Sequence, residues 1–139
     1  MNLHYKLLSL LFVAIVSNNL FGQDTTITTV SYQVGDLNKN ESNLSEGLRI
    51  YDMNKKQYQI TKFTFKKDSI IIGDYFNSVY KVIDHEGNLQ TEQGLENYFY
   101  CKDPEGKNCY IIIKEKTKSY NYPLIVVRYS DGAYFYYTK

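Results

Sequence analysis

The chain has 139 residues, with 16 Lys and Arg against 15 Asp and Glu, so its net charge is close to zero. A neutral chain lacks the basic face that phosphate contacts require, which argues against nucleic acid binding and against attraction to an anionic membrane. The 15 Tyr and 7 Phe residues are of the kind enriched in β-strands, and the chain has no Trp.

The N-terminus has the three parts of a secretory signal peptide. A short start containing Lys6 precedes an apolar run at 7–16, and a short polar stretch follows. The apolar run is about half of the roughly 20 residues that a membrane-spanning helix needs, so we expect no stable membrane insertion. Residues 1–23 are therefore predicted to be a signal peptide, cleaved between Leu20 and Asp24. The mature protein is expected in the periplasm or outside the cell.

The rest of the chain, about 115 residues, is long enough for one domain with a modest core. Residues 24–47 are predicted to form an N-terminal strand, at 26–34, followed by a polar linker. From 48 to 139, short apolar runs alternate with turn residues at the spacing of about 8 to 12 residues that all-β domains have. No window in this region sustains a helical period.

Two turns in the β-rich region share an Asp-x-Glu-Gly pattern, at 84–88 and 103–107. In each turn, Asp accepts hydrogen bonds at the first position, and Gly takes the left-handed conformation that a three-residue hairpin loop needs. The first turn predicts a hairpin in which Ile83 lies opposite Leu89.

A third turn, Asp131-Gly132, is typical of a two-residue hairpin loop and sets Tyr129 opposite Tyr134. Joined by short hairpins, about eight consecutive strands form an antiparallel meander. Such a meander closes into an up-and-down barrel, stays a strongly curled open sheet or folds into a sandwich. We predict an all-β fold of the barrel or strongly curled type.

Cys101 and Cys109 are the only cysteines in the chain. The turn at 103–107 places them opposite each other on paired strands, where Cα separations of about 4.5 to 5.5 Å lie within the range of a disulfide. Together with export to an oxidising compartment, this arrangement predicts a structural disulfide. A redox-active pair is the alternative, although the close spacing of a dithiol motif is missing.

No pattern of residues predicts a catalytic, metal or cofactor site. His85 is the one histidine beyond the signal, and Leu89 stands where a zinc-binding His-Glu helix carries its second His. The carboxylates of Asp84 and Glu86 are assigned to a tight hairpin tip, which leaves little room for a substrate. We therefore predict a non-enzymatic protein with no catalytic residues, no metal ligands and no cofactor.

The predicted ribbon around the cysteines has two apolar faces. One face carries Phe99, Cys101, Cys109, Ile111 and Ile113, and the other carries Tyr98, Tyr100, Tyr110 and Ile112. A sheet with one side in water normally alternates apolar and polar residues, so the tyrosine face is either covered by the chain or offered to a partner. Tyr98, Tyr100 and Tyr110 are the candidate binding residues, because tyrosine packs its ring while its hydroxyl reaches water or a partner.

The signal ending Phe21-Gly22-Gln23, the frequent Lys, Asn, Ile and Tyr, and the β-rich body with its cysteine hairpin resemble a group of bacterial proteins. These are small exported proteins of unknown function from Bacteroidota-type bacteria. The resemblance implies an envelope or secreted location and no activity. The expected function is a binding or interaction module for a protein or glycan partner. The alternative is a small lipocalin-like barrel that holds an apolar or aromatic ligand.

Overall fold

The computed structural model describes residues 24–38, 50–73, 76–91, 94–115 and 120–139. Nine strands lie in these ranges: β1 Thr25–Leu37, β2 Tyr51–Met53, β3 Gln57–Phe65, β4 Ser69–Gly73, β5 Asn77–Thr91, β6 Gly94–Lys102, β7 Asn108–Lys114, β8 Leu124–Arg128 and β9 Gly132–Tyr137. The predicted signal peptide and residues 39–47 of the predicted linker lie outside the described residues. Within the described ranges, no helix is long and apolar enough to cross a membrane.

The strands form a single antiparallel sheet that closes into a barrel. Strands β3 to β9 pair in chain order, and β1 joins the two ends by pairing with both β3 and β9. Residues 25–32 of β1 lie beside β3, and residues 31–36 lie beside β9. β2 is a short extra strand that pairs with residues 35–37 of β1, on the same side of β1 as β3. The predicted all-β meander is therefore confirmed, as an eight-stranded, up-and-down barrel.

Gly35 lets β1 pair with β2 and β9 at the same point because it has no side chain. It lies where β2 and β9 flank β1 on opposite sides, and it pairs with Met53 and Ala133. A Cβ atom at this position would lie 2.9 Å from Met53 Sδ and 3.0 Å from both Tyr51 Cβ and the Phe135 ring. A larger residue would therefore push the neighbouring strands apart at the point where the barrel closes.

The inside of the barrel is filled with side chains. Alternate residues of each strand point inward, and the buried apolar residues of this cluster are Ile27, Phe63, Phe65, Ile70, Ile72, Phe99, Cys101, Cys109, Ile111, Ile113, Ile125 and Val127. Ring contacts connect strands that do not pair with each other, with centroid distances of 5.4 Å between Phe65 and Phe99 and 4.8 Å between Phe63 and Tyr136. Barrels of eight strands have an interior just wide enough to be filled in this way.

The β6–β7 hairpin has the predicted register, with Cys101 opposite Cys109. The whole predicted cysteine face belongs to the interior cluster. The other face contributes to a second, outer cluster, whose buried residues are Ile112, Leu124, Val126 and Ala133. At the turn, Asp103 Oδ1 accepts hydrogen bonds from the backbone N–H groups of Glu105 and Lys107, as the turn pattern predicts.

The predicted disulfide is not formed in this structure: both thiols are free and buried. The N–H of Asp103 donates to the carbonyl of Lys107 at 2.8 Å, and hydrogen-bonded pairs alternate with non-hydrogen-bonded pairs along an antiparallel ladder. Cys101 and Cys109, two positions further on, are therefore a hydrogen-bonded pair, in which side chains lie farther apart. Burial raises the pKa of Cys101 to about 12 and that of Cys109 to about 11, so both thiols are unreactive near neutral pH.

The predicted hairpin at 84–88 is wrong. β5 continues through these residues, and the chain reverses between Thr91 and Gly94, which pair with each other. Two β-bulges, one on each side of residues 84–86, take up the extra residues. With Ile83 opposite Leu89, β5 would pair with residues 89–95 and leave the second half of β6 without a partner on this side, so the longer ladder satisfies more backbone hydrogen bonds.

The last hairpin lies where it was predicted, but its register differs by two residues. Tyr134 pairs with Val127, whereas the predicted loop sets it opposite Tyr129. Gly132 lies in β9 instead of the loop, at a close approach to β1 where a Cβ would be 2.8 Å from the carbonyl oxygen of Gly35. A shift of two residues leaves each side chain on its predicted face.

Candidate binding cleft on the outer face

Three neighbouring strands bring the predicted binding residues together on the outside of the barrel. Tyr100 of β6 pairs with Tyr110 of β7 and with Asp84 of β5, and Tyr98 pairs with Glu86. The ring centroid of Tyr110 lies 5.2 Å from that of Tyr100 and 6.4 Å from that of Tyr98. The three tyrosines thus form one cluster, and their role in binding stays a prediction.

These five side chains line a cleft of about 180 Å³. The β5 side of the cleft carries the exposed carboxylates of Asp84 and Glu86, and the β6 and β7 side carries the tyrosines. Tyr110 is 38% exposed, while Tyr98 and Tyr100 are half-buried. Neither carboxylate forms an ion pair within the described ranges. The cleft is therefore open to solvent and mostly polar, with aromatic rings on one side.

Tyr98 is held in place by a buried ion pair. Its hydroxyl donates a hydrogen bond to Glu96, which is 3% exposed. The Glu96 carboxylate in turn pairs with Lys114 Nζ at 3.2 Å. Burial, followed by the hydrogen bond to Glu96, raises the pKa of Tyr98 to about 12. This ring is therefore a fixed wall of the cleft, and its hydroxyl stays protonated near neutral pH.

Arg128 packs against the tyrosines on the side away from the carboxylates. It lies on β8, where it pairs with Tyr110. Its guanidinium carbon is 5.0 Å from the centroid of the Tyr110 ring and 5.9 Å from that of Tyr98, within the range of a cation–π contact. The β8 side of these rings is therefore occupied by the chain itself, and the cleft opens on the β5 side.

Asp84, Glu86 and Arg128 were not predicted to belong to this site. The turn pattern assigned Asp84 and Glu86 to a hairpin tip, whereas the continuous β5 strand directs both side chains outward beside Tyr98 and Tyr100. The useful signal is their spacing of two residues, which matches the period of a strand. This spacing places both side chains on one face of a strand only if the chain reversal lies after Thr91.

A second cavity, of about 410 Å³, lies at one mouth of the barrel. Its mostly apolar lining consists of Tyr32, Gln59, Thr61, Ile72, Gly73, Phe76, Tyr134 and Tyr136. The rings of Tyr32 and Tyr136 are 5.8 Å apart, and Phe76 is 89% exposed. Because Phe63 packs against Tyr136 inside the barrel, the cavity is a cup at the opening and does not continue through the interior.

His85 points into the barrel instead of lying in a solvated turn. Its ring stacks on Phe99 with a centroid distance of 4.3 Å. His85 Nε2 and both polar atoms of the Asn97 amide are buried without a hydrogen-bond partner among the described residues. Burial lowers the pKa of His85, so the imidazole is neutral at pH 7. In the part of the chain that the structure describes, no three His, Cys, Asp or Glu side chains come together to hold a metal ion.

No family model, curated protein or solved structure matches this chain. The chemistry of the outer cleft is set by its five side chains. Its two carboxylates, when ionised, only accept hydrogen bonds, and the hydroxyls of Tyr100 and Tyr110 both donate and accept, while that of Tyr98 donates to Glu96. These groups can exchange hydrogen bonds with a polar ligand, and the rings can contact its apolar parts.

Replacing Tyr98 by Phe should lower the free energy of unfolding by about 1 to 3 kcal/mol at pH 7, because the buried Glu96 carboxylate loses a donor. The pKa of Tyr98 is raised by folding, so its contribution is complete below pH 10 and is lost as the pH rises toward about 12. The stability difference between wild type and variant should shrink over that range. Urea denaturation followed by circular dichroism measures both effects.

The control is Tyr58→Phe, because Tyr58 is 84% exposed and should tolerate loss of its hydroxyl. Equal stability of wild type and Tyr98→Phe at pH 7 would contradict the anchoring role of the Tyr98 hydroxyl.

Proposed function

We propose that the protein is an exported, non-enzymatic binding module that engages a protein or glycan partner through the outer cleft. The observation that carries the proposal is that Tyr98, Tyr100 and Tyr110 meet two carboxylates in one open cleft, neither of which has an ion pair among the described residues. Tyrosine is enriched in binding surfaces because a large, rigid ring and a polar tip are presented at low cost in conformational entropy.

The rigidity of the cleft supports a binding role. All five lining residues lie on three neighbouring strands, where Asp84 and Glu86 pair with Tyr100 and Tyr98 between the two β-bulges of β5, and Tyr98 is fixed by the Glu96–Lys114 ion pair. A preorganised surface loses less freedom on binding, so more of its contact energy appears as affinity. A group with a pKa of about 12 is also a poor acid or base near neutral pH, so Tyr98 suits a binding role better than proton transfer.

The proposal of export rests on the N-terminal sequence. The apolar run at 7–16 after Lys6 has the length and order of a signal peptide. The resemblance to exported proteins of Bacteroidota-type bacteria supports the same location. We propose that the mature domain acts in the periplasm or outside the cell.

The test uses the mature domain with Tyr100 and Tyr110 both replaced by Ser, because Tyr98 has a structural role. Wild type and variant are immobilised and exposed to an envelope extract of the source organism, and captured material is identified by quantitative mass spectrometry. A specific partner should be captured by wild type and lost from the variant. The control Tyr58→Ser, which removes an exposed tyrosine elsewhere on the barrel, should capture it like wild type. Identical capture by all three proteins would refute the proposal.

A second candidate function is a lipocalin-like role, in which the barrel mouth holds an apolar or aromatic small molecule. The cup of about 410 Å³ favours it, because sites for small molecules range from about 300 to 1,000 Å³ and are mostly apolar. Native mass spectrometry of protein isolated from its source should then detect a bound molecule that is lost in an Ile72→Arg variant. A spectrum of the bare chain alone would exclude this candidate.

A further inference from the structure

We infer that the outer cleft binds one sugar ring of a neutral glycan, an inference that rests on the proposed function and narrows its partner. The cleft volume of about 180 Å³ corresponds to roughly six waters at their share of liquid volume. This space accommodates a single sugar ring, whereas free small molecules normally occupy sites of about 300 Å³ or more. The ligand is therefore expected to be one unit of a larger partner.

The hydrogen-bonding groups of the cleft match the donors of a sugar. Asp84 and Glu86 are two residues apart on β5, so their positions are about 7 Å apart along the strand. Each ionised carboxylate accepts hydrogen bonds and donates none, and an O–H donor to a carboxylate forms a short, strong bond. Hydroxyl groups on different carbons of a sugar ring can each donate to one of the two carboxylates.

The tyrosines provide the complementary surface for the apolar part of a sugar. The face of an aromatic ring is negatively polarised, and it attracts the slightly positive C–H groups of a ring that packs on it. Tyr100 and Tyr110 are tilted by 48° with respect to each other, so they present two differently oriented surfaces toward the cleft. A sugar ring that contacts one of them keeps its hydroxyl groups free for the carboxylates.

The charges around the cleft favour a neutral ligand over a cationic one. Lys81 and Lys102 pair with each other and follow Asp84 and Tyr100 along the same outer face. Lys102 is two residues from Tyr100, so the Lys81–Lys102 pair lies about 7 Å from the Asp84–Tyr100 pair. This distance is less than the Debye length of about 8 Å at physiological salt. The two lysines therefore offset the field of Asp84 outside the cleft. Long-range attraction of a basic peptide is weakened, and the carboxylates act mainly as hydrogen-bond acceptors.

The inference is tested by ¹H–¹⁵N NMR titration of the mature domain with a panel of methyl glycosides and short neutral oligosaccharides. At least one sugar should shift the signals of Asp84, Glu86, Tyr100 and Tyr110, with a Kd that is insensitive to salt. Nα-acetyl-lysine methylamide serves as the cationic probe. If only the lysine probe shifts the signals of the cleft residues, and added salt weakens its binding, the inference is overturned in favour of a basic partner. No shift with any sugar would also overturn it.

Isosteric substitutions distinguish sugar binding in the cleft from sugar binding elsewhere on the protein. Asp84→Asn combined with Glu86→Gln should weaken the sugar by about tenfold or more, because bonds to charged acceptors are replaced by bonds to neutral ones. The control, Asp68→Asn combined with Asp131→Asn, removes the same charge from two exposed turns and should bind like wild type. Equal weakening by both double variants would contradict a site at Asp84 and Glu86.

Periodate treatment of the envelope extract distinguishes failure of this inference from failure of the proposed function. Periodate cleaves the vicinal diols of sugars and leaves most protein surfaces intact. Capture that depends on Tyr100 and Tyr110 and is lost after periodate supports both. Capture that depends on the tyrosines and survives periodate overturns the glycan inference and retains the proposed function. Capture that is unchanged by the loss of Tyr100 and Tyr110 overturns both the glycan inference and the proposed function.

Discussion

The double pairing of β1 is the interaction on which the rest of the structure depends. One part of this strand completes the sheet beside β3, and the other part closes it beside β9. Closure gives every barrel strand one inward and one outward face. The side chains that alternate along each strand are therefore divided between the core and the surface. Gly35 contributes to the β9 side of this closure, because any side chain there would meet β2 and Phe135.

The position of the cleft follows from closure and from the filled interior. Phe63, Phe65 and Phe99 occupy the inside, so the tyrosines that alternate with Phe99 and Cys101 must lie on the outer face. A barrel packed in this way offers a ligand only its mouth or its outer wall. The outer wall here is partly apolar and is stiffened by the Tyr98–Glu96–Lys114 network. Core packing thus determines which surface is available for recognition.

The parts of the fold that depend on local pattern were predictable from the sequence. The period of two around the cysteines assigned both faces of the β6–β7 ribbon, and the turn at Asp103 set its register. The pattern at 84–88 failed because Asp and Gly suit a bulged strand as well as a hairpin turn, and only the need of β6 for a partner decides between them. Asp84 and Glu86 were missed for the same reason. The β1–β9 pairing joins residues far apart in the chain, and no local signal specifies it.

Barrel closure is tested most directly by the backbone contacts between β1 and β9 in solution. We predict nuclear Overhauser effects between backbone protons of Tyr32 and Tyr136 and of Val34 and Tyr134, together with slow exchange of the amide protons that join these strands. Detection of the contacts from β3 through β9, without any contact between β1 and β9, would mean an open sheet. That result would contradict the inside and outside assigned to every strand, and with it the cleft.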